Sequence, residues 1–169
     1  QRHPESMAIV GALSKSFCMT GWRLGWTLAH PDLVKACAKI QGQSTSNVNS
    51  VAQKAAIAAL TGPWSLVDEM KASFVRRRDM ALKVIRSWPG VVCVKPDGAF
   101  YLFPVVEKYY TPDMPDSAAL CTRLLEEAGV ALVPGSAFGD DRCVRFSYAV
   151  ADEVLMGALA RVGKVLLGR

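Results

Sequence analysis

From Trp64 to Trp88 the chain repeats apolar residues at helical spacing: Leu66, Met70, Phe74, Val75, Leu82 and Ile85. The charges fall mostly elsewhere, and Pro89-Gly90 closes the run. A helix of that length with one apolar face has to lie on a second layer. The residues downstream supply it. VVCVKPDGAFYLFPVV (91–106) reads as two strands joined at Pro96-Asp97-Gly98, where proline fixes φ and glycine accepts a positive φ. TPDMPDS (111–117) is a loop whose Ser117 caps a helix running to Ala128, closed by Gly129. VALVPG (130–135) and CVRFSYA (143–149) are strand-like, and a last helix covers 151–167. The order helix, strand, strand, helix, strand, strand, helix predicts an α+β sandwich, a small sheet with helices on one side.

Upstream, MAIVGAL (7–13) is a short apolar run consistent with a buried strand, and RLGWTL (23–28) is a second one, stopped by His30-Pro31. Leu33, Val34, Cys37 and Ile40 then recur at three- and four-residue steps, as on a helix. QGQSTSNVNS (41–50) reads as a loop or a helix break. The alanine-rich VAQKAAIAAL (51–60) reads as a helix packed tightly on a neighbour. Thr61-Gly62-Pro63 is the candidate boundary. Two strands and two helices do not close a domain, so 1–62 reads as the tail of a larger α/β unit.

Composition narrows the function. The chain has 169 residues and half of them are hydrophobic, which suits a packed core and excludes disorder. No apolar run approaches the about 18 residues of a membrane span. The net charge of +5 includes Arg76-Arg77-Arg78, read as a solvated helix face, and lacks the basic stripe with interleaved aromatics of a nucleic-acid surface. Five scattered cysteines and two histidines, with no C-x-x-C spacing, argue for reduced thiols in a cytoplasmic setting and against a zinc site.

The stretch SKSFCMTGWRLGW (14–26) carries the chemistry. An apolar strand delivers Lys15, and Phe17, Met19 and Trp22 follow it, surroundings that would desolvate an amine and favour its neutral, nucleophilic form. Hydroxyls at Ser14, Ser16 and Thr20, the amides near Gly21, and Arg23 could hold a phosphate. An amine beside a phosphate clamp suggests a phosphorylated aldehyde, and pyridoxal phosphate is that molecule.

This stretch resembles the lysine motif of class I/II aminotransferases, the fold-type I pyridoxal-phosphate enzymes. QGQSTSNVNSVAQKAAIAAL, KPDGAFYLFP and VPGSAFGDDRCVRFSYA resemble later segments of their aspartate and prephenate aminotransferase subgroup. The resemblance runs almost end to end and implies the C-terminal part of such an enzyme. It implies a fold class of α/β and α+β: residues 1–62 as an incomplete remnant of the large α/β domain that binds pyridoxal phosphate, and 63–169 as the interdomain helix and small α+β sandwich domain.

The resemblance assigns Lys15 as the catalytic amine that joins the cofactor and shuttles a proton. It assigns Ser14 and Arg23 to the cofactor phosphate, Arg145 to the substrate α-carboxylate, and Gly98 and Phe100 to the substrate side. Arg145 agrees with its own setting, since a half-buried arginine on a strand needs an anion. Ser44–Asn47 match a loop near the relatives' dimer interface. The resemblance further implies an amino acid and a 2-oxo acid as substrates, aspartate with 2-oxoglutarate before prephenate, and a homodimer. It implies no metal, nucleic acid or membrane partner. Ala12 stands where relatives often have Gly or Ser, and Cys18 where they have a small or aliphatic residue. The family's aspartate on the pyridine nitrogen, its ring-oxygen partners and its ring-stacking residue are expected upstream of Gln1. The other reading is a non-catalytic α+β module or dimerising fragment of such an enzyme. A decarboxylase or lyase of the same fold is the rival among enzymes.

Overall fold

The computed structural model describes residues 6–168. The chain divides into two compact units, 1–69 and 70–169.

The first unit opens on an antiparallel pair. Strand β1 (Ala8–Ala12) lies against β2 (Gly25–Ala29), in register from Ala8↔Ala29 to Ala12↔Gly25. Its helices are α1 (Pro31–Ser44) and α2 (Ser50–Thr61). Helix α1 starts where proline at its first turn fixes φ and the His30 ring accepts from the Asp32 amide. It runs on through Gln41–Ser44, which read as loop, because Gly42 there costs a helix only about 1 kcal/mol and no proline stops it. Only 45–49 separate the two helices. Asn49 Oδ1 caps α2 by accepting from the amides of Val51 at 2.9 Å and Ala52 at 3.3 Å.

The buried cluster of this unit is thin: Leu13, Met19 and Ala56, with Phe17, Leu24, Ala55 and Ala59 packed on it. Strand β1, read as buried, is largely exposed in this chain, with Val10 77% exposed. Leu28 of β2 and Ile40 of α1 are 64% and 71% exposed, and no residue of α1 is buried.

Helix α3 (Ser65–Arg86) begins at the end of the first unit. The second unit holds a three-stranded antiparallel sheet in the order β3-β5-β4: β3 (Tyr101–Leu102), β4 (Val133–Pro134) and β5 (Val144–Ser147). Helices α4 (Ser117–Ala128) and α5 (Asp152–Leu167) complete it. One core joins Leu82, Ile85 and Trp88 to Leu120, Leu124, Leu155, Leu159, Val162, Leu102, Val144 and Phe146.

Four local readings change. The two strands expected over 91–106 shrink to a Val92↔Val105 bridge and the short β3. Pro96 and Pro104 lack amide donors, and the Cys93 carbonyl accepts instead from Arg86 Nε at 3.0 Å and Nη2 at 2.8 Å. At the turn, positive φ falls on Ala99 (61°) rather than Gly98. Asp116, not Ser117, caps α4 by accepting from the Ala119 amide at 2.8 Å. Ser117 is completely buried and donates to Asp141. The triple arginine is not a solvated face: Arg76 and Arg77 both grip Asp152 at the start of α5, at 2.8 and 2.7 Å, and Arg78 holds Asp79 at 2.9 Å.

Candidate active site

The connection 13–24 between β1 and β2 carries the lysine motif. Leu13 and Met19 are its buried anchors. Between them the backbone turns on itself: the Phe17 amide donates to the Leu13 carbonyl and the Cys18 amide to the Lys15 carbonyl, both at 3.2 Å. Thr20 Oγ1 donates to the Ser14 carbonyl at 3.0 Å, and Arg23 Nη1 to the Thr20 carbonyl at 3.1 Å. The three residues are thus linked, with Thr20 as the hinge. Cys18 and Arg23 sit at φ 54° and 52°, left-handed conformations that cost a side chain on the order of 1 kcal/mol each.

Ser14 is half-buried, while Lys15 and Arg23 are exposed. The desolvation expected around Lys15 is not supplied by its neighbours in sequence. Met19 turns into the core, Phe17 packs edge-on against Trp64 at 5.2 Å between ring centroids, and Trp22 faces solvent. Ser14 and Arg23 line one groove of about 520 Å³ with Gly11, Val34, Cys37 and Gln41. Arg23 also lines a second, of about 780 Å³, with Cys18, Trp22, Asn47 and Asn49. Lys15 lines neither groove.

In the second unit, Arg145 lies on the central strand β5, opposite Val133. It is half-buried, and its guanidinium carbon lies 4.4 Å from the centroid of Tyr101 and 4.5 Å from that of Phe138. Among the described residues its side chain has no ion pair or hydrogen bond. Phe100 packs into the core, stacked on Phe74 at 5.9 Å between centroids. Gly98 is exposed, and a Cβ there would meet nothing. Near Arg145, the Arg142 guanidinium hydrogen-bonds Asp140 and holds its carboxyl down at about 2, and burial pushes the Cys143 thiol up to about 11. Tyr101 and Phe138 were not singled out from sequence. Their signal was present, as aromatics inside the two motif segments nearest Arg145.

A family model described as "Aminotransferase class I and II" matches residues 1–162. The chain belongs to that family. This aminotransferase chain is 42% identical to an aspartate aminotransferase of Pinus pinaster, over 96% of the chain and 35% of that protein. It is 44% identical to a bifunctional aspartate aminotransferase and glutamate/aspartate-prephenate aminotransferase of Petunia hybrida, over 94% of the chain and 35% of the relative. It superposes on the crystal structure of the aspartate aminotransferase from Rhizobium meliloti with a TM-score of 0.88 at 38% identity, covering 96% of the chain and 42% of the other. The chain therefore spans well under half the length of the aminotransferases it matches. The fold is that of a partial α/β transferase with a mixed helix-and-sheet second unit. Among the described residues no helix is long and apolar enough to cross a membrane, and no cluster of three or more His, Cys, Asp or Glu is gathered for a metal.

Proposed function

We propose that this chain is the lysine-bearing part of a pyridoxal-phosphate-dependent transaminase that moves an amino group between an aspartate-like amino acid and a 2-oxo acid. The reading rests above all on one observation: Ser14, Lys15, Thr20 and Arg23 share a single strand connection, in which the Thr20 bonds link Ser14 to Arg23. That donor set suits a phosphorylated aldehyde. It offers an amine, hydroxyls and a planar cation within a few residues. Bound there, pyridoxal phosphate supplies an aldehyde carbon for the amino group and a ring that accepts electrons from the substrate.

The roles of the chain's own residues follow from their chemistry. Lys15 Nζ is the nucleophilic amine and, once released, the base that takes and returns the substrate Cα proton. Arg23 and Ser14 bind the phosphate, and the Thr20 carbonyl orients the Arg23 guanidinium. Arg145 pairs with the substrate α-carboxylate through its two parallel donors. Gly98 and Phe100 border that side, Phe100 from within the core. Residues 1–62 belong to the cofactor-binding domain and 63–169 to the small domain. The assembly is a cytoplasmic homodimer. Aspartate is the first amino acid to test and prephenate the first alternative 2-oxo acid, the pair that the Petunia relative's name joins.

The exposure of Lys15 favours a second reading for the chain taken alone, cofactor capture without turnover. One experiment separates the two. The chain is mixed with pyridoxal phosphate, its visible absorbance is recorded, and amino transfer from aspartate is assayed. Absorbance that is lost in Lys15→Ala supports the assigned amine, and absorbance kept in that variant overturns it. Absorbance without transfer selects the capture reading.

A further inference from the structure

Among its described residues, the second unit treats its arginines in one way with a single exception. Arg76 and Arg77 donate to Asp152, Arg78 to Asp79, Arg86 to the Cys93 carbonyl, Arg123 to Glu127, Arg142 to Asp140 and Arg161 to the Ala128 carbonyl. Arg145, among the described residues of that unit, donates to no acceptor. It is held by rings instead. Tyr101 and Phe138 each lie beneath its guanidinium, at 4.4 and 4.5 Å, well inside the about 6 Å over which a cation is attracted to a ring face.

The topology puts the two rings on different flanks. Strand β5 is central; Tyr101 comes from β3 on one side, and Phe138 from the short turn Gly135–Phe138 that follows β4 on the other. Each ring is backed separately, Tyr101 by Phe100 at 4.5 Å and Phe138 by Phe103, edge-on, at 5.9 Å and 89°. A guanidinium is poorly hydrated on its faces and carries all its donors at its rim. With two rings drawn up to the guanidinium, its rim donors, which meet no acceptor among the described residues, are left for an anion.

We propose that Tyr101 and Phe138 are positioning residues that fix the plane of the Arg145 guanidinium, so that it presents its donors edge-on to one planar carboxylate. The inference rests on the reading of Arg145 as the carboxylate site. It adds what selects the orientation: a flat acid is received in the plane of the cation, and none of the described side chains is spent on neutralising the arginine beforehand. The rings pre-order a long side chain that would otherwise lose rotamer freedom on binding.

The test is nuclear magnetic resonance on the 169-residue chain with ¹⁵N-labelled arginine. The Arg145 Nε–H signal is assigned by its absence in Arg145→Lys. Stacked rings move it upfield of the exposed-arginine position, and a signal at the ordinary position overturns the clamp without any variant. Succinate is then titrated. Tyr101→Leu and Phe138→Leu are expected to return the signal downfield and to weaken succinate binding about three- to tenfold each. Tyr101→Phe and Phe138→Tyr keep both properties. Phe138 is 48% exposed, so its leucine variant removes little core. Leucine variants that fold, by far-ultraviolet circular dichroism, and leave shift and affinity unchanged overturn the clamp. In that case succinate binding that still falls in Arg145→Lys leaves the carboxylate reading standing. Succinate that binds equally well to Arg145→Lys removes that reading, and the proposal with it.

Discussion

At position 135 a Cβ would run into the backbone oxygens of Asp140 and Cys143. The Gly135 amide donates to the Cys143 carbonyl at 2.9 Å, and its own carbonyl accepts from the Asp140 amide at 3.2 Å. Backbone cannot swing aside as a side chain can, so Gly135→Ala is expected to destabilise the second unit by about 1–3 kcal/mol, read as a lower urea midpoint. An unchanged midpoint would show that the loop 139–143 yields. Glycine 98, in the other motif segment, has open space above it, and its substitution should be close to neutral in the same assay. The two glycines look alike in sequence. Only the way the loop just downstream, Asp140 to Cys143, folds back on Gly135 tells them apart. The lysine motif divides in the same way. That Ser14, Lys15 and Arg23 share one turn was legible, because their spacing is local. The exposure of Lys15 was not, because it depends on which side chains fold over it, and Met19 folds the other way. The two rings at Arg145 were visible as aromatics of the motif segments, but their convergence on it was not, since β3 and the turn after β4 meet β5 only in the folded unit.

Helices were the elements most legible in advance. Helix α3 buries its expected stripe only toward its end, at Leu82 and Ile85 with Ala81, while Leu66 and Val75 are 73% and 40% exposed. Helix α4 ends as Gly129 predicted, at φ 60°. The short strands were over-read, since alternation cannot reveal that Arg86 claims the Cys93 carbonyl. The arginine triplet shows the same limit. Its charge pattern suits water, yet Arg76 and Arg77 converge on Asp152, and their hydrogen bonds pull that carboxyl below its ordinary range. What holds α4 to the sheet is apolar: Leu124 is fully buried among Leu120, Leu155 and their neighbours. Leu124→Ala should cost about 2–5 kcal/mol, with heat-denaturation midpoints as the measurement. A loss under about 1 kcal/mol would mean that the cluster closes over the gap.

Taken as a whole, the chain sorts its thiols by depth. Cys18 and Cys37 are exposed, and Cys93, Cys121 and Cys143 are buried. Burial pushes Cys121 and Cys143 up to about 11, from an ordinary thiol value of 9.0. A thiol raised on folding contributes stability that is complete below pH 9 and is lost as the pH climbs toward 11. The second unit is therefore expected to weaken over that alkaline interval. At neutral pH a thiol reagent should label two sites quickly and three only on unfolding; mass spectrometry of the labelled peptides gives the count. Fast labelling of Cys121 would contradict the buried core. The first unit has no such depth. With Leu13, Met19 and Ala56 as the clustered buried residues among those described, it leaves Val10, Leu28 and Ile40 exposed.

A hairpin with exposed apolar side chains on both faces, Val10 on one and Leu28 on the other, is a place for association. Surfaces like it are what chaperones seize and proteases patrol for, and they drive clumping as concentration rises. Any surface that packs on the hairpin withdraws Val10 and Leu28 from water, a gain of about 25 cal/mol for each Å² of apolar area covered.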